Sequence, residues 1–249
     1  MLLKNKIALV TGASRGIGKS ISLTFAREGA SLVLICLDDK KNLQAVKTEA
    51  KLMGAKVLDV VGDVASANFC ESLIEKAIGY FGTIDILVNC AGTISRPHIE
   101  EMSMDEWHNV IDVNLNGTLY LCRKTLPIMR EQKYGKIINI TSQMAHMPHP
   151  GASPSYEVSK AGITALTRHL ALQYAKYNIC VNNIAPGSID TDLAKNMKQS
   201  VRQKLKDAIP MGRLGEVDEV SDCALFLASK MSSYVTGTTI HVNGGSLFQ

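Results

Sequence analysis

Short runs of β-branched and other apolar residues alternate along the chain with longer stretches whose apolar positions recur at helical spacing. The runs fall at 6–10, 31–36, 56–61, 84–88, 136–141, 179–184 and 238–242, and several are almost unbroken, as in Ile7-Ala8-Leu9-Val10. Strands covered on both faces lose the polar alternation of half-exposed strands. This order therefore predicts repeated βαβ units and a parallel sheet with helices on both sides. The expected class is α/β, a doubly wound sheet of seven strands. Gly29, Gly54 and Gly82 stand just past the first three helical stretches, where a glycine often closes a helix.

The rhythm breaks between about Gly187 and Gly215, a polar, Lys-rich segment without a strand. Insertions of this kind in compact domains often carry function, so it reads as a lid over a substrate pocket, with a surface helix pair as the plainer alternative. No repeat, low-complexity tract or Pro/Gly/Ser linker divides the chain, and all 249 residues are expected to form one domain.

Composition narrows the field. A hydrophobic fraction of 46% with 20% charged residues predicts a chain folded throughout. No run reaches the roughly 18 apolar residues that span a bilayer, and Lys4 and Lys6 interrupt the first segment, so neither a membrane nor an export route is expected. Cys36, Cys70, Cys90, Cys122, Cys180 and Cys223 are widely spaced with no C-x-x-C pair, which predicts reduced thiols in the cytoplasm. The net charge of +4 is interspersed, so no nucleic-acid partner is expected. The six histidines show no metal-ligand spacing, so no metal is expected either.

Chemistry enters at the end of the first run, which passes into Thr11-Gly12-Ala13-Ser14-Arg15-Gly16-Ile17-Gly18 and then a helix. In that setting Gly12 makes a tight turn, Gly16 lets backbone approach a pyrophosphate, and Gly18 lets the helix pack on the strand. The free N–H groups of the helix start then face the phosphates. Glycines alone could mean only a strand-to-helix turn; their place after the first strand favours a dinucleotide site. The spacing, G-x-x-x-G-x-G, differs from the more familiar G-x-G-x-x-G.

Tyr156-Glu157-Val158-Ser159-Lys160 sets a phenol and an ammonium one helical turn apart on one face. A neighbouring cation favours phenolate, so Lys160 is expected to draw the Tyr156 pKa down toward working pH and suit it to proton transfer. The interval proves little alone, because Tyr120 and Lys124 repeat it. Only Tyr156 follows, fourteen residues on, a serine closing a strand, Ser142. Active-site residues of open α/β sheets gather at such strand ends.

Taken in order, these segments resemble the short-chain dehydrogenase/reductase family over nearly the whole chain. The resemblance implies a Rossmann-type fold, a nicotinamide cofactor, and interconversion of a ketone and a secondary alcohol. It implies catalytic roles for Asn114, Ser142, Tyr156 and Lys160, with Asn114 holding a helix kink and a proton relay from Lys160. The cofactor residues it implies are Gly12, Ser14, Arg15, Gly16, Ile17 and Gly18 in the first turn and Cys36 and Leu37 after the second strand. Further on come Asp63 and Val64, Asn89, Ala91 and Gly92, then Pro186, Gly187, Ile189 and Thr191, with Tyr156 and Lys160 also touching the cofactor. The ending from Thr236-Gly237 to Asn243-Gly244-Gly245 matches as well, and Cys90 replaces a common Asn. Kinship further implies a homotetramer.

An acid at the end of the second strand would bond a ribose 2′-hydroxyl and repel a 2′-phosphate. Cys36 and Leu37 stand there instead, while Arg15 resembles a phosphate-holding residue of NADP users. The balance favours NADP over NAD, with Asp38 the residue that could reverse it. Within the family the chain resembles 3-oxoacyl-[acyl-carrier-protein] reductases, chiefly in its C-terminal half, where Ile209 to Gly215 lies. The segments Thr93 to Glu101 and His149 to Ser155 look more like sugar or polyol dehydrogenases. Of two basic carrier-docking positions Lys133 fits one, and Tyr177 occupies the other. A dinucleotide-binding sensor without turnover is the alternative of another class.

Overall fold

The computed structural model describes residues 1–149, 151–191 and 197–248. Seven strands, β1 (Ile7–Thr11), β2 (Ser31–Cys36), β3 (Val57–Val61), β4 (Ile86–Asn89), β5 (Gly135–Ile140), β6 (Ile179–Pro186) and β7 (Thr239–Val242), form one sheet in the order β3-β2-β1-β4-β5-β6-β7. All six pairings are parallel. The order reverses between β1 and β4, and crevices at such a switch point are where open α/β sheets bind ligands.

Period-two alternation sends side chains to the two faces. Ala8, Val10, Leu32, Leu34, Val88 and Ile138 pack with helices α1 (Gly16–Arg27), α2 (Lys40–Leu52) and α8 (Val217–Ala228). Leu9, Val33, Ile35, Leu87, Ile137 and Val181 pack with α3 (Ala67–Phe81), α5 (Gly117–Glu131) and α6 (Pro154–Tyr174). Both faces of the central strands are therefore dry, which is why their sequences read as continuous apolar runs.

The ends differ from the sequence reading by a residue or two. β6 continues to Pro186, because the Gly187 N–H donates to Val242 O and carries the pairing past Ile184. Gly29, Gly54 and Gly82 all have positive φ just beyond α1, α2 and α3, and Gly82 is the left-handed cap of α3. Between 187 and 215 lies a helix, α7 (Gln199–Asp207); the part of the expected lid at 192–196 lies outside the described residues. No described helix is long and apolar enough to cross a membrane, and no metal-binding cluster occurs among the described residues.

Candidate active site

The first turn lies at the carboxyl end of β1. Gly12 and Gly16 adopt left-handed φ of 66° and 55°, a conformation that disfavours side chains with a Cβ. A Cβ on Gly18 would sit 2.2 Å from Gly12 O, so the helix reaches the turn only because that atom is missing. The loop is fastened from below by Thr11, whose Oγ1 accepts from Cys90 N at 3.0 Å and Ala91 N at 2.9 Å. This brings the β4-end motif of Asn89, Ala91 and Gly92 against Gly12.

α1 begins at Gly16 with no side-chain cap and no acid in its first turn, whereas Asp39, Ser66, Ser103 and Ser153 cap α2, α3, α4 (Met104–Ile111) and α6. Uncapped N–H groups and the positive end of the helix dipole suit phosphate oxygens. Thr191 comes over the same turn, its Cγ2 3.6 Å from where a Gly16 Cβ would stand. Gly187 is squeezed against Asn243 at 2.9 Å from the corresponding position, and Ile189 pairs with Gly215. Asp63 turns its carboxylate to Ala65 N at 2.9 Å, and Val64 packs under Gly117. Ser14 is buried, and Cys36 closes β2 beside an exposed Leu37. These features together fit a dinucleotide laid across the β1/β4 crevice.

The residues expected to handle protons lie at the end of β5 and the start of α6. Ser153 caps α6, accepting from Tyr156 N at 3.4 Å, and Pro154 follows at the first helical position. Tyr156 thereby falls in the first turn and Lys160 one turn later. Lys160 Nζ donates to Ile140 O at 2.8 Å and lies 5.8 Å from the Tyr156 ring centre. Ser142 starts a short 3₁₀ turn, with its hydroxyl accepting from Met144 N at 3.1 Å and acting to lower the pKa of the nearby Tyr156 phenol. Asn114 is fully buried in a π-helical turn, Asp112–Asn116, between α4 and α5. Its amide donates to Thr93 O and to Ser159 Oγ, both at 3.0 Å, and its Oδ1 accepts from Thr93 N at 2.8 Å. Thr93 and Ser159 were not singled out in sequence, although each directly follows a motif glycine or precedes the motif lysine.

One expectation is overturned. Burial raises the Tyr156 phenol above its ordinary value, and the opposing pull comes from the Ser142 hydroxyl, not from Lys160. Lys160 itself is brought down from 10.5 to about 8 by burial, with Cys90 opposing. The ammonium points past the ring to the β5 carbonyl, so spacing on the helix face overstated its hold on the phenol. The second Tyr-x-x-x-Lys interval is incidental: Tyr120 packs on the core beside α3, and Lys124 pairs with Glu71.

Burying Lys160 has a stability consequence. Its folded pKa of about 8 lies below the ordinary 10.5. Between these values the unfolded chain binds more protons, and parent stability rises with pH. Lys160→Met is expected to raise stability at pH 7 by up to about 3 kcal/mol, less roughly 1 kcal/mol for the lost bond to Ile140 O. The advantage should shrink from about pH 8 upward and vanish near pH 10.5, as checked by urea unfolding across pH. A variant less stable than the parent at pH 7 would contradict it.

The chain is similar to known proteins over nearly its whole length. Residues 12–246 match a family model described as enoyl-(acyl carrier protein) reductase. The 3-oxoacyl-[acyl-carrier-protein] reductase of Staphylococcus epidermidis is 39% identical over 241 residues, covering 97% of this chain and 98% of that protein. Its counterpart in Thermotoga maritima is 38% identical over 245 residues, covering 98% and 99%. Among solved structures, levodione reductase superposes with a TM-score of 0.93 at 30% identity, covering 98% of each chain. A putative short-chain alcohol dehydrogenase from Sinorhizobium meliloti gives 0.92 at 31% identity, covering 98% of this chain and 97% of that one. The chain therefore belongs to the short-chain dehydrogenase/reductase family, as a 3-oxoacyl-[acyl-carrier-protein] reductase-like oxidoreductase that acts with a nicotinamide cofactor between a ketone and an alcohol.

Proposed function

We propose that this enzyme reduces the 3-oxo group of an acyl thioester with NADPH, using Tyr156 as proton donor, Ser142 as carbonyl anchor, and Lys160 and Asn114 as the groups that hold the pair in place. The observation that carries the reading is the placement of Ser142 at the end of β5 beside Tyr156 in the first turn of α6, near enough for the serine hydroxyl to pull the buried phenol's pKa down. Two O–H groups at one point suit a carbonyl oxygen that becomes an alcohol oxygen, which is what a 3-oxo substrate requires and the reduction of a carbon–carbon double bond does not. The bound nicotinamide supplies the hydride to the carbonyl carbon. Ser142 O–H donates to the carbonyl oxygen, Tyr156 passes its proton to that oxygen, and Lys160 in its ammonium form, made more acidic by burial, returns a proton to the phenolate and regains one from solvent. Run backward, Tyr156 takes the proton from the alcohol.

NADPH is preferred in this reading because β2 ends in Cys36 and Leu37, neither of which repels a 2′-phosphate, while Arg15 is exposed at the mouth of the first turn. Asp39 is occupied as the cap of α2, accepting from Asn42. Arg15→Gln is expected to weaken NADPH binding about tenfold to a hundredfold, the worth of a charge-assisted contact, and to leave NADH binding nearly unchanged. Fluorescence titration of both cofactors checks this; equal loss for the two would remove the phosphate role.

The segment 187–215 serves as a lid on the single domain. Its two sides are joined by the Ile189–Gly215 pairing and the Asp190–Arg202 ion pair, and a cavity of about 270 Å³ beneath it is lined by Ile189, Ile209, Met211 and Val242. A homotetramer is supported by exposed Leu119 and Val158 on α5 and α6 and by Leu172, Tyr234 and Phe248. Six unpaired cysteines suit a reducing, cytoplasmic setting.

A sugar or polyol substrate is the second reading, favoured by the polar mouth. Arg96 donates to Gly151 O at 3.1 Å, Ser95 to Glu106 at 3.2 Å, and Glu157 accepts from His149 N at 2.7 Å. A panel of 3-oxoacyl thioesters, keto sugars and cyclic ketones, followed by nicotinamide absorbance with each cofactor, decides between them. Turnover confined to sugars would overturn the thioester reading.

A further inference from the structure

A row of buried polar side chains crosses the carboxyl half of the sheet. Asn89, Asn139, Asn183 and Thr239 are register partners on four adjacent strands, β4, β5, β6 and β7. They face the side of the sheet covered by α6, where each neighbouring core position is apolar: Leu87, Ile137 and Val181. Asn89 Nδ2 donates to Asn139 Oδ1 at 2.8 Å, and Asn139 Nδ2 donates to Thr167 Oγ1 of α6 at 2.8 Å. Thr167 Oγ1 then donates to Asn183 Oδ1 at 2.6 Å, and Asn183 Nδ2 to Thr239 Oγ1 at 3.1 Å. Every bond runs in the same donor direction. Reversing any one amide alone would set donor against donor, so the amides can turn only together, and the members of the row polarise one another.

Thr167 is the one member on a helix, and its hydroxyl both accepts from β5 and donates to β6. It lies seven residues beyond Lys160, two turns on the same face of α6. Lys160 is itself tied to Ile140 O, the residue after Asn139. A helix held at two points along one face can neither slide by 1.5 Å nor turn by a residue without breaking a buried bond. Yet stability alone does not explain the row, because apolar side chains of similar size would fill the same layer without desolvating three amides.

We propose that Thr167, with Asn139 and Asn183, forms a positioning device for the reaction: it fixes the rotation and height of α6 against β5, and so the approach of Tyr156 and Lys160 to Ser142. This rests on the proton-transfer roles proposed above. The test compares Thr167→Val, which keeps the shape and removes the hydroxyl, with Thr167→Ser, which keeps the hydroxyl. Thr167→Val is expected to lower kcat at least tenfold, to displace the kcat–pH profile by half a unit or more, and to leave the nucleotide Kd within twofold. Thr167→Ser should restore both kcat and profile. Should Thr167→Val not fold, Thr239→Val breaks the half-buried last link and is expected to lower kcat two- to fivefold. Parent kcat and profile in whichever of these valine variants folds would overturn the proposal. So would a fall in kcat with a profile unmoved and a Kd raised in proportion, since that marks general loosening. Tyr156→Phe is measured alongside: if it stays active the proton-transfer reading itself fails, whereas an inactive Tyr156→Phe with an unaffected Thr167→Val defeats this inference alone.

Discussion

Tyr156→Phe is expected to lower kcat by about 10²- to 10⁴-fold, the range that a positioned general acid or base contributes, while folding and nucleotide affinity stay near those of the parent. The ring lies in the first turn of α6, whose cap uses the Tyr156 backbone N–H and not its phenol oxygen. Removing that oxygen therefore takes away the proton donor and little else. The parent should also show opposite pH trends in the two directions. Reduction needs the phenol protonated and oxidation needs it deprotonated. Burial holds the phenol up, and Lys160 beside it titrates near pH 8. Alcohol oxidation is thus expected to rise through and above pH 8 as ketone reduction declines, with apparent pKa values that belong to the coupled pair. Stopped-flow or steady-state rates in both directions from pH 6 to pH 10 would check it; parallel trends would contradict it.

Gly18→Ala is expected to have the second largest effect. The added Cβ would lie 2.2 Å from Gly12 O and 2.8 Å from Gly12 C, both backbone atoms that cannot swing aside as a side chain can. Either α1 backs away from β1 or the turn opens, and both remove the N–H cradle from its place. Overpacking of this kind typically costs about 1–3 kcal/mol of stability, and the nucleotide Kd should rise at least a hundredfold. The control is Gly79→Ala in the exposed part of α3, where a Cβ meets nothing within 4 Å. That substitution should raise stability by roughly 0.5–1 kcal/mol through helix propensity alone and leave the Kd unchanged. Calorimetry with and without cofactor separates the outcomes, and full nucleotide affinity in Gly18→Ala would contradict the packing argument.

Much of this was legible in the sequence for a physical reason. Strands dry on both faces leave continuous apolar runs, and glycines at positive φ mark helix ends, so the seven strands and the stops after α1, α2 and α3 could be read from residue types. The first turn was legible because three glycines each answer a separate steric demand. Ser142 and Tyr156 were legible as a strand end and a helix start. What sequence did not yield depends on side-chain direction. Lys160 is on the expected face but reaches past the ring to Ile140 O, so the electrostatic pull assigned to it did not follow. The Asn89–Asn139–Thr167–Asn183–Thr239 row was hidden because its members are scattered over 150 residues and each resembles an ordinary polar residue. Only the strand register aligns them. The contacts of Asn114 with Thr93 and Ser159 were equally out of reach, since they depend on the π-helical turn that rotates Asn114 inward.

The central claim is that the phenol of α6 and the serine at the end of β5 act on one carbonyl oxygen, to whose carbon a nicotinamide held in the adjoining crevice would supply the hydride. Its most direct test is reduction of a 3-oxobutyryl thioester with NADPH deuterated at the transferred position, with the product read by mass and NMR. The account predicts one deuterium on the carbinol carbon in the parent, and the same product formed at least a hundred times more slowly by Ser142→Ala and Tyr156→Phe. Product without deuterium, or full rates in both variants, would contradict it.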